Sequence, residues 1–179
     1  MDAEFKLVKG LIVDFFNQNK IKESMNVIKR SEITGWENWF QIEFAIYLQQ
    51  EKNNVCSGWN REWRYPRADN KTNVIDFLIH NGLVGSSKKQ QIAVELKQDR
   101  NMSECIKGMV EDWVKYYDIK KSVNDISSIW CVGVHKTTDL NDVLNEVKGQ
   151  IKELENFTFE VVNFHTNEIG TSGYSFTIF

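Results

Sequence analysis

From Ala3 to Gln18 the apolar residues Phe5, Val8, Leu11, Ile12, Phe15 and Phe16 recur at steps of three and four, the stripe of a helix that lays one face on a core. The pattern predicts a shorter helix after it, to Lys29. A third is predicted from about Gly35 through Gln50, capped by Thr34 and carrying Trp36, Phe40, Phe44, Tyr47 and Leu48 on its apolar side. The period then changes. Val55 to Tyr65 mixes Trp and Tyr with Asn and Arg and runs into Pro66, which predicts one or two half-exposed strands. Asn73–His80 and Gln91–Gln98 are short, apolar and rich in β-branched residues, and the Gly- and Ser-containing stretch between them suits a hairpin. They are predicted to pair antiparallel.

Helical spacing returns with Met102, Cys105, Ile106, Met109, Val110, Trp113 and Tyr117, and Ile129–Val134 reads as a buried strand. Strand, helix, strand is the crossover that makes a parallel pair, so the sheet is expected to be mixed and covered by helices. A last helix is predicted over Leu140–Leu154, with Val143, Leu144, Val147 and Ile151 on one face. Strands follow at Phe157–Phe164 and at Tyr174–Phe179, the latter closing an edge. No repeat, linker or low-complexity segment divides the chain. The expectation is a single α/β domain over residues 1–179: a helical extension at 1–30, a core at 35–134, and a C-terminal helix and strands at 138–179.

Composition changes this picture little. The 179 residues include six Trp, eleven Phe and five Tyr, enough large apolar side chains for one substantial core. A formal charge of −3 excludes a protein that coats nucleic acid through overall basicity, so any such contact must come from local patches. The three cysteines, Cys56, Cys105 and Cys131, are odd in number and lack C-x-x-C spacing. Neither a disulfide framework nor a structural zinc site is indicated, and a reducing cytoplasm suits them. No basic leader opens the sequence and no run approaches a membrane span, so a cytoplasmic protein with no membrane partner is expected. A nucleotide-binding loop of the G-x-x-x-x-G-K type is absent, and ATP use is not expected.

The chemistry lies where the apolar pattern is broken. In NVIDFLIH, Ile75, Phe77 and Ile79 are expected on one face and Val74 and Leu78 on the other, yet Asp76 interrupts the second. A lone carboxylate in a covered sheet costs several kcal/mol unless it is paired, protonated or bound to a metal. The neighbouring strand repeats the anomaly, because its period of two puts Glu95 and Lys97 on one face and Val94 and Leu96 on the other. If the strands pair, two carboxylates and an ammonium converge, and carboxylate oxygens are what a hard divalent cation prefers.

An Asp on one strand followed by Glu-x-Lys on the next resembles the PD-(D/E)XK nuclease superfamily. The order of elements extends the resemblance from Gly35 to Val134: a helix bearing Glu43, a strand at Trp63–Tyr65, the Asp76 strand, Glu95-Leu96-Lys97, the Met102 helix and the Ile129 strand. The literal Pro-Asp pair is missing, since Ile75 precedes Asp76. The resemblance implies a restriction endonuclease-like α/β core. It also implies a nuclease that hydrolyses phosphodiester bonds with Mg2+, for which Mn2+ can substitute. Asp76, Glu95 and the carbonyl of Leu96 would hold the cation, Lys97 would orient or activate the attacking water, and Glu43 would hold a second metal or a metal-bound water. Endonuclease action on DNA is the expected activity, with RNA, a homodimer and a protein partner left open.

A plainer reading stands beside this one. Glu95 and Lys97 would then be a same-face ion pair on an edge strand, with Asp76 satisfied by Arg61 or Arg64. The corresponding function is a binding or regulatory protein of the same fold without cleavage, such as a toxin-neutralising (immunity) partner. Arg61, Arg64, Lys88 and Lys89, with Arg67, Lys107 and Lys115, are candidate phosphate contacts or simply a solvated face. Trp59 and Trp63 suit stacking on bases or packing. Glu62 is a further residue that could approach the site. His80, His135 and His165 have no metal-ligand or triad spacing.

Overall fold

The computed structural model describes residues 3–66, 72–80, 91–122, 125–154 and 163–179, and within them the side chains of all but 51–55, 66, 117, 118 and 120–122. The helical stripes settle into α1 (Ala3–Asn17), α2 (Asn19–Arg30), α3 (Glu37–Val55), α4 (Met102–Ser122) and α5 (Leu140–Lys152). The strands are β1 (Gly58–Pro66), β2 (Thr72–His80), β3 (Gln91–Gln98), β4 (Ile126–Lys136), β5 (His165–Glu168) and β6 (Tyr174–Ile178). They form one six-stranded sheet in the order β1-β2-β3-β4-β6-β5. β1, β2 and β3 pair antiparallel, β3 and β4 pair parallel across the α4 crossover, and β6 pairs antiparallel with β4 and β5. The protein is therefore a mixed α/β sheet flanked by helices, as the alternating periods predict.

Each face of the sheet carries its own core. On one, Phe5, Val8, Leu11, Ile12, Phe15 and Phe16 of α1 pack with residues of α2 and α3 onto Phe77, Ile79, Val94, Leu96, Val132 and Val134. Rings dominate this layer: Phe15 contacts Phe16, Phe40, Phe44 and Tyr47, and Phe5 lies 5.0 Å from Trp130. On the other face, Cys105, Ile106, Met109, Val110, Trp113 and Tyr116 of α4 and Val143, Val147 and Ile151 of α5 cover Leu78, Ala93, Ile129 and Cys131. All three cysteines are buried and unbonded to one another. Among the described residues no helix is long and apolar enough to cross a membrane.

Close approach of α4 to the sheet depends on a glycine. A Cβ at Gly133 of β4 would stand 2.2 Å from Met109 Sδ and 2.8 Å from Cys105 Sγ, so only a residue without one lets the helix sit this low. Gly133 is the register partner of Lys97 on β3. The same helix passes over that lysine, since a Cβ at Gly108 would meet its Cδ at 3.3 Å.

Several expectations need correction. Helix α3 is capped by Trp36 with no side-chain bond, and Thr34 is separated from it by Gly35, whose φ of +66° makes the turn. Val55 belongs to that helix, and the one strand that follows, β1, runs through Pro66, which still pairs with Thr72 at the sheet's edge. β6 is an inner strand between β4 and β5 rather than an edge, consistent with its burial along its whole length. The hairpin connection with Lys88 and Lys89, Arg67, and most of the strand expected at Phe157–Phe164 lie outside the described residues.

Candidate active site at the parting of β2 and β3

The β2–β3 ladder runs from His80 opposite Gln91 to Phe77 opposite Val94 and stops there; the next pair in register would be Asp76 and Glu95. The two carboxylates replace the missing backbone bonds. Glu95 Oε1 accepts from the Asp76 N–H at 3.0 Å, and Asp76 Oδ2 accepts from the Leu96 N–H at 2.8 Å. On the far side of β2 the ladder pairs Arg61 with Phe77 and Trp63 with Ile75, and Glu62 between them has φ 52°. That left-handed backbone in a non-glycine residue is uncommon and marks a local distortion of the strand. Facial alternation also breaks at this point. Phe77 and Ile79 pack under α1–α3 while Ile75 joins the α4 cluster, so the expectation that these three share a face fails at Asp76.

The gap is reached from both helical layers. From α3, Gln41 Nε2 donates to Asp76 Oδ1 at 2.9 Å, and the Gln41 oxygen accepts from Arg61 Nη2 at 3.0 Å. Glu37, one turn earlier, accepts from the Gln98 N–H at 3.0 Å and so ties the end of β3 to the start of α3. From α4, the Tyr116 hydroxyl donates to the carbonyl of Val74 and stands beside Glu95. Asp112, one turn before Tyr116, binds the Lys97 ammonium at 2.8 Å and lies 3.7 Å from that of Lys115.

Burial dominates the electrostatics. Desolvation, reinforced by the Asp76 charge, pushes the Glu95 carboxyl up to about 9. Desolvation likewise raises Asp76 to about 6, opposed by the hydrogen bond from Leu96 N–H and assisted by the Glu37 charge. Near neutral pH the pair thus holds a proton. For Lys97, burial works against the charged form, but the hydrogen bond and charge of Asp112 outweigh it and hold the ammonium protonated. Among the described residues neither Asp76 nor Glu95 forms an ion pair.

Of the residues singled out in the sequence, Asp76, Glu95 and Leu96 meet at the gap, and Lys97 lies beside it with its ammonium turned to Asp112. Glu43 does not join them. Its carboxylate pairs with Lys20 of α2 at 3.1 Å, because at 3.6 residues per turn Glu43 lies about 200° round the helix from Gln41. The helix carboxylate on the site's side is Glu37. Arg61 reaches Asp76 only through Gln41 and pairs also with the exposed Glu62 at 2.7 Å. Arg64 and Trp63 are exposed on β1, and Trp59 packs against Phe77. His135 is buried between the Lys136 carbonyl and Thr177, and His80 faces Asn60 at the strand end. Glu37, Gln41, Asp112 and Tyr116 went unnoticed in the sequence, although the i, i+4 spacing of each pair places its members on one helix face.

The donor set suits a divalent cation held by few protein ligands. Two adjacent carboxylates face the gap without an ion-pair partner among the described residues, the circumstance in which an external cation is most favoured. In an extended strand the N–H and C=O of one residue point to the same edge, so the Leu96 carbonyl shares the gap with its N–H. Among the described residues no three His, Cys, Asp or Glu side chains gather into a cage. Mg2+ does not require one, since it commonly keeps several waters and takes one or two carboxylates. No protein-family model and no curated protein sequence matches the chain.

Proposed function

We propose that the chain is a divalent-metal-dependent nuclease of the PD-(D/E)XK type that hydrolyses phosphodiester bonds, acting as an endonuclease on DNA. The observation that carries this reading is the pair of half-buried Asp76 and buried Glu95, which have no ion-pair partner among the described residues where the β2–β3 ladder stops, with Lys97 two residues on. The run α3-β1-β2-β3-α4-β4 and the parallel β3–β4 pair support it, being the order that the resemblance implies.

Bound Mg2+ or Mn2+ supplies Lewis acidity toward a phosphate oxygen and lowers the pKa of water. The chain's own part is to hold that ion and position the substrate. Asp76 and Glu95 give up their shared proton and present oxygens on one side, each fixed by a strand N–H. Gln41 and Tyr116 hold the Asp76 strand, β2, from opposite layers. Lys97, its stem laid over Gly108, exchanges Asp112 for a phosphate oxygen and stabilises negative charge as it develops there.

One observation favours a non-catalytic protein of the same fold, for example one that neutralises a toxin: the Lys97 ammonium is already engaged by Asp112 at 2.8 Å. The deciding experiment titrates Mg2+ and Mn2+ against the melting temperature, then follows supercoiled plasmid, single-stranded DNA and RNA, using Asp76→Asn as control. Metal-dependent cutting lost in that variant is the expected result. Metal binding with no cleavage of any of the three would leave the binding protein as the better reading.

A further inference from the structure

Gln41 is 6% exposed and has both ends of its amide occupied, its oxygen by Arg61 and its nitrogen by Asp76. A guanidinium only donates and a carboxylate only accepts, so a single orientation of the amide satisfies both neighbours. Arg61 is poorly committed elsewhere. Its Nε–H is buried with no partner among the described residues, and its ion pair is to Glu62, whose side chain is 55% exposed. A guanidinium next to a buried carboxylate ordinarily closes on it in a bidentate pair. Here one side chain is interposed.

We infer that Gln41 is the positioning residue for Asp76: it gives Oδ1 a hydrogen bond that fixes the carboxylate while keeping the Arg61 charge one amide away. The inference rests on the proposed metal centre. Were Arg61 to reach Asp76 directly, it would neutralise the ligand and compete with the cation. Interposing an amide passes on the hydrogen bond without passing on the charge. Residues that orient a metal ligand in this way commonly matter about 10–100-fold in metal affinity.

The test is Mg2+ affinity by titration calorimetry on the full chain, for wild type, Gln41→Met, Arg61→Met and the double variant, with metal-free melting curves as the check on folding. Gln41→Met is expected to bind about 10–100-fold more weakly. Adding Arg61→Met to it should recover part of that loss, because the competing guanidinium is gone, whereas a purely structural role for Gln41 would make the double variant no better. Affinity of Gln41→Met equal to wild type, or a double variant no tighter than Gln41→Met, overturns the inference. If Gln41→Met does not melt cooperatively, Gln41→Asn takes its place, being one methylene too short to span both partners, and the same comparisons decide. A wild-type chain that binds no Mg2+ overturns the metal centre itself and this inference with it, an outcome distinct from wild-type binding that Gln41→Met leaves unchanged.

Discussion

Glu95→Gln tests the electrostatics of the site before any question of activity. Glu95 is 6% exposed and its folded carboxyl is pushed up to about 9, against an ordinary value of 4.5. Between those values the folded chain binds more protons than the unfolded one, so this group lowers stability as pH rises from 4.5 toward 9 and contributes no such penalty below 4.5. That is the reverse of an ion-paired carboxylate. From pH 4.5 to 7 is about 2.5 units, and at about 1.4 kcal/mol per unit the penalty grows to about 3 kcal/mol. Glutamine has the shape of the protonated acid and its oxygen can still accept the Asp76 N–H, so it keeps the contact and removes the titration. Urea unfolding of both proteins at pH 4.5, 6, 7 and 8 is the assay. Glu95→Gln is expected to match wild type near pH 4.5, to exceed it by about 3 kcal/mol at pH 7 and to gain no stability from Mg2+. Parallel curves for the two proteins would refute the reasoning, since the Glu95 carboxyl would then titrate as it does in the unfolded chain.

Further outcomes are expected at Lys97, Gly133, Glu43 and Glu37. Lys97→Ala should bind Mg2+ as well as wild type or better, since a cation beside the carboxylates is removed, yet cut about 10²–10³ more slowly; wild-type cutting by this variant would end the assigned role of Lys97. Arginine should substitute poorly at that position, because a planar fork does not reproduce a compact ammonium lying over Gly108. Gly133→Ala should lose about 1–3 kcal/mol in chemical denaturation, since the new methyl meets Met109 Sδ at 2.2 Å and α4 must lift; unchanged stability would mean the helix has room to move. Glu43→Ala should cost no more than about 1 kcal/mol and leave Mg2+ affinity intact, because its partner Lys20 is half exposed, whereas Glu37→Ala frees the end of β3 and should weaken metal binding in the same titration.

Much of this protein follows from local pattern. The i, i+3, i+4 stripe of Phe5 to Phe16 needs no knowledge of its partners to be a helix with one buried face, and the two-residue period puts Glu95 and Lys97 on one side of β3 wherever that strand lies. The cost of burying Asp76 and Glu95 was likewise visible as charges inside apolar strands, and their meeting follows from hairpin pairing alone. Distances along the chain here are short, and register is set by the apolar pattern.

What lay beyond the sequence depends on how elements far apart in the chain are placed. Which carboxylate of α3 lies on the site's side is a matter of the helix's rotation over the sheet. Phe40, Phe44 and Leu48 fix that rotation by packing against α1 and β2, and it directs Gln41 to Asp76 and Glu43 to Lys20. The partner of Lys97 depends on the height of α4, which the missing side chain at Gly133 sets. The inner position of β6 depends on strand order, a choice among edges that a five-residue strand cannot encode by itself. The sequence by itself determined the elements, the fold class and the two carboxylates set into apolar strands, because backbone period and apolar pattern are local properties; only the tertiary structure decided what surrounds those carboxylates, because packing between distant segments sets the direction of each side chain.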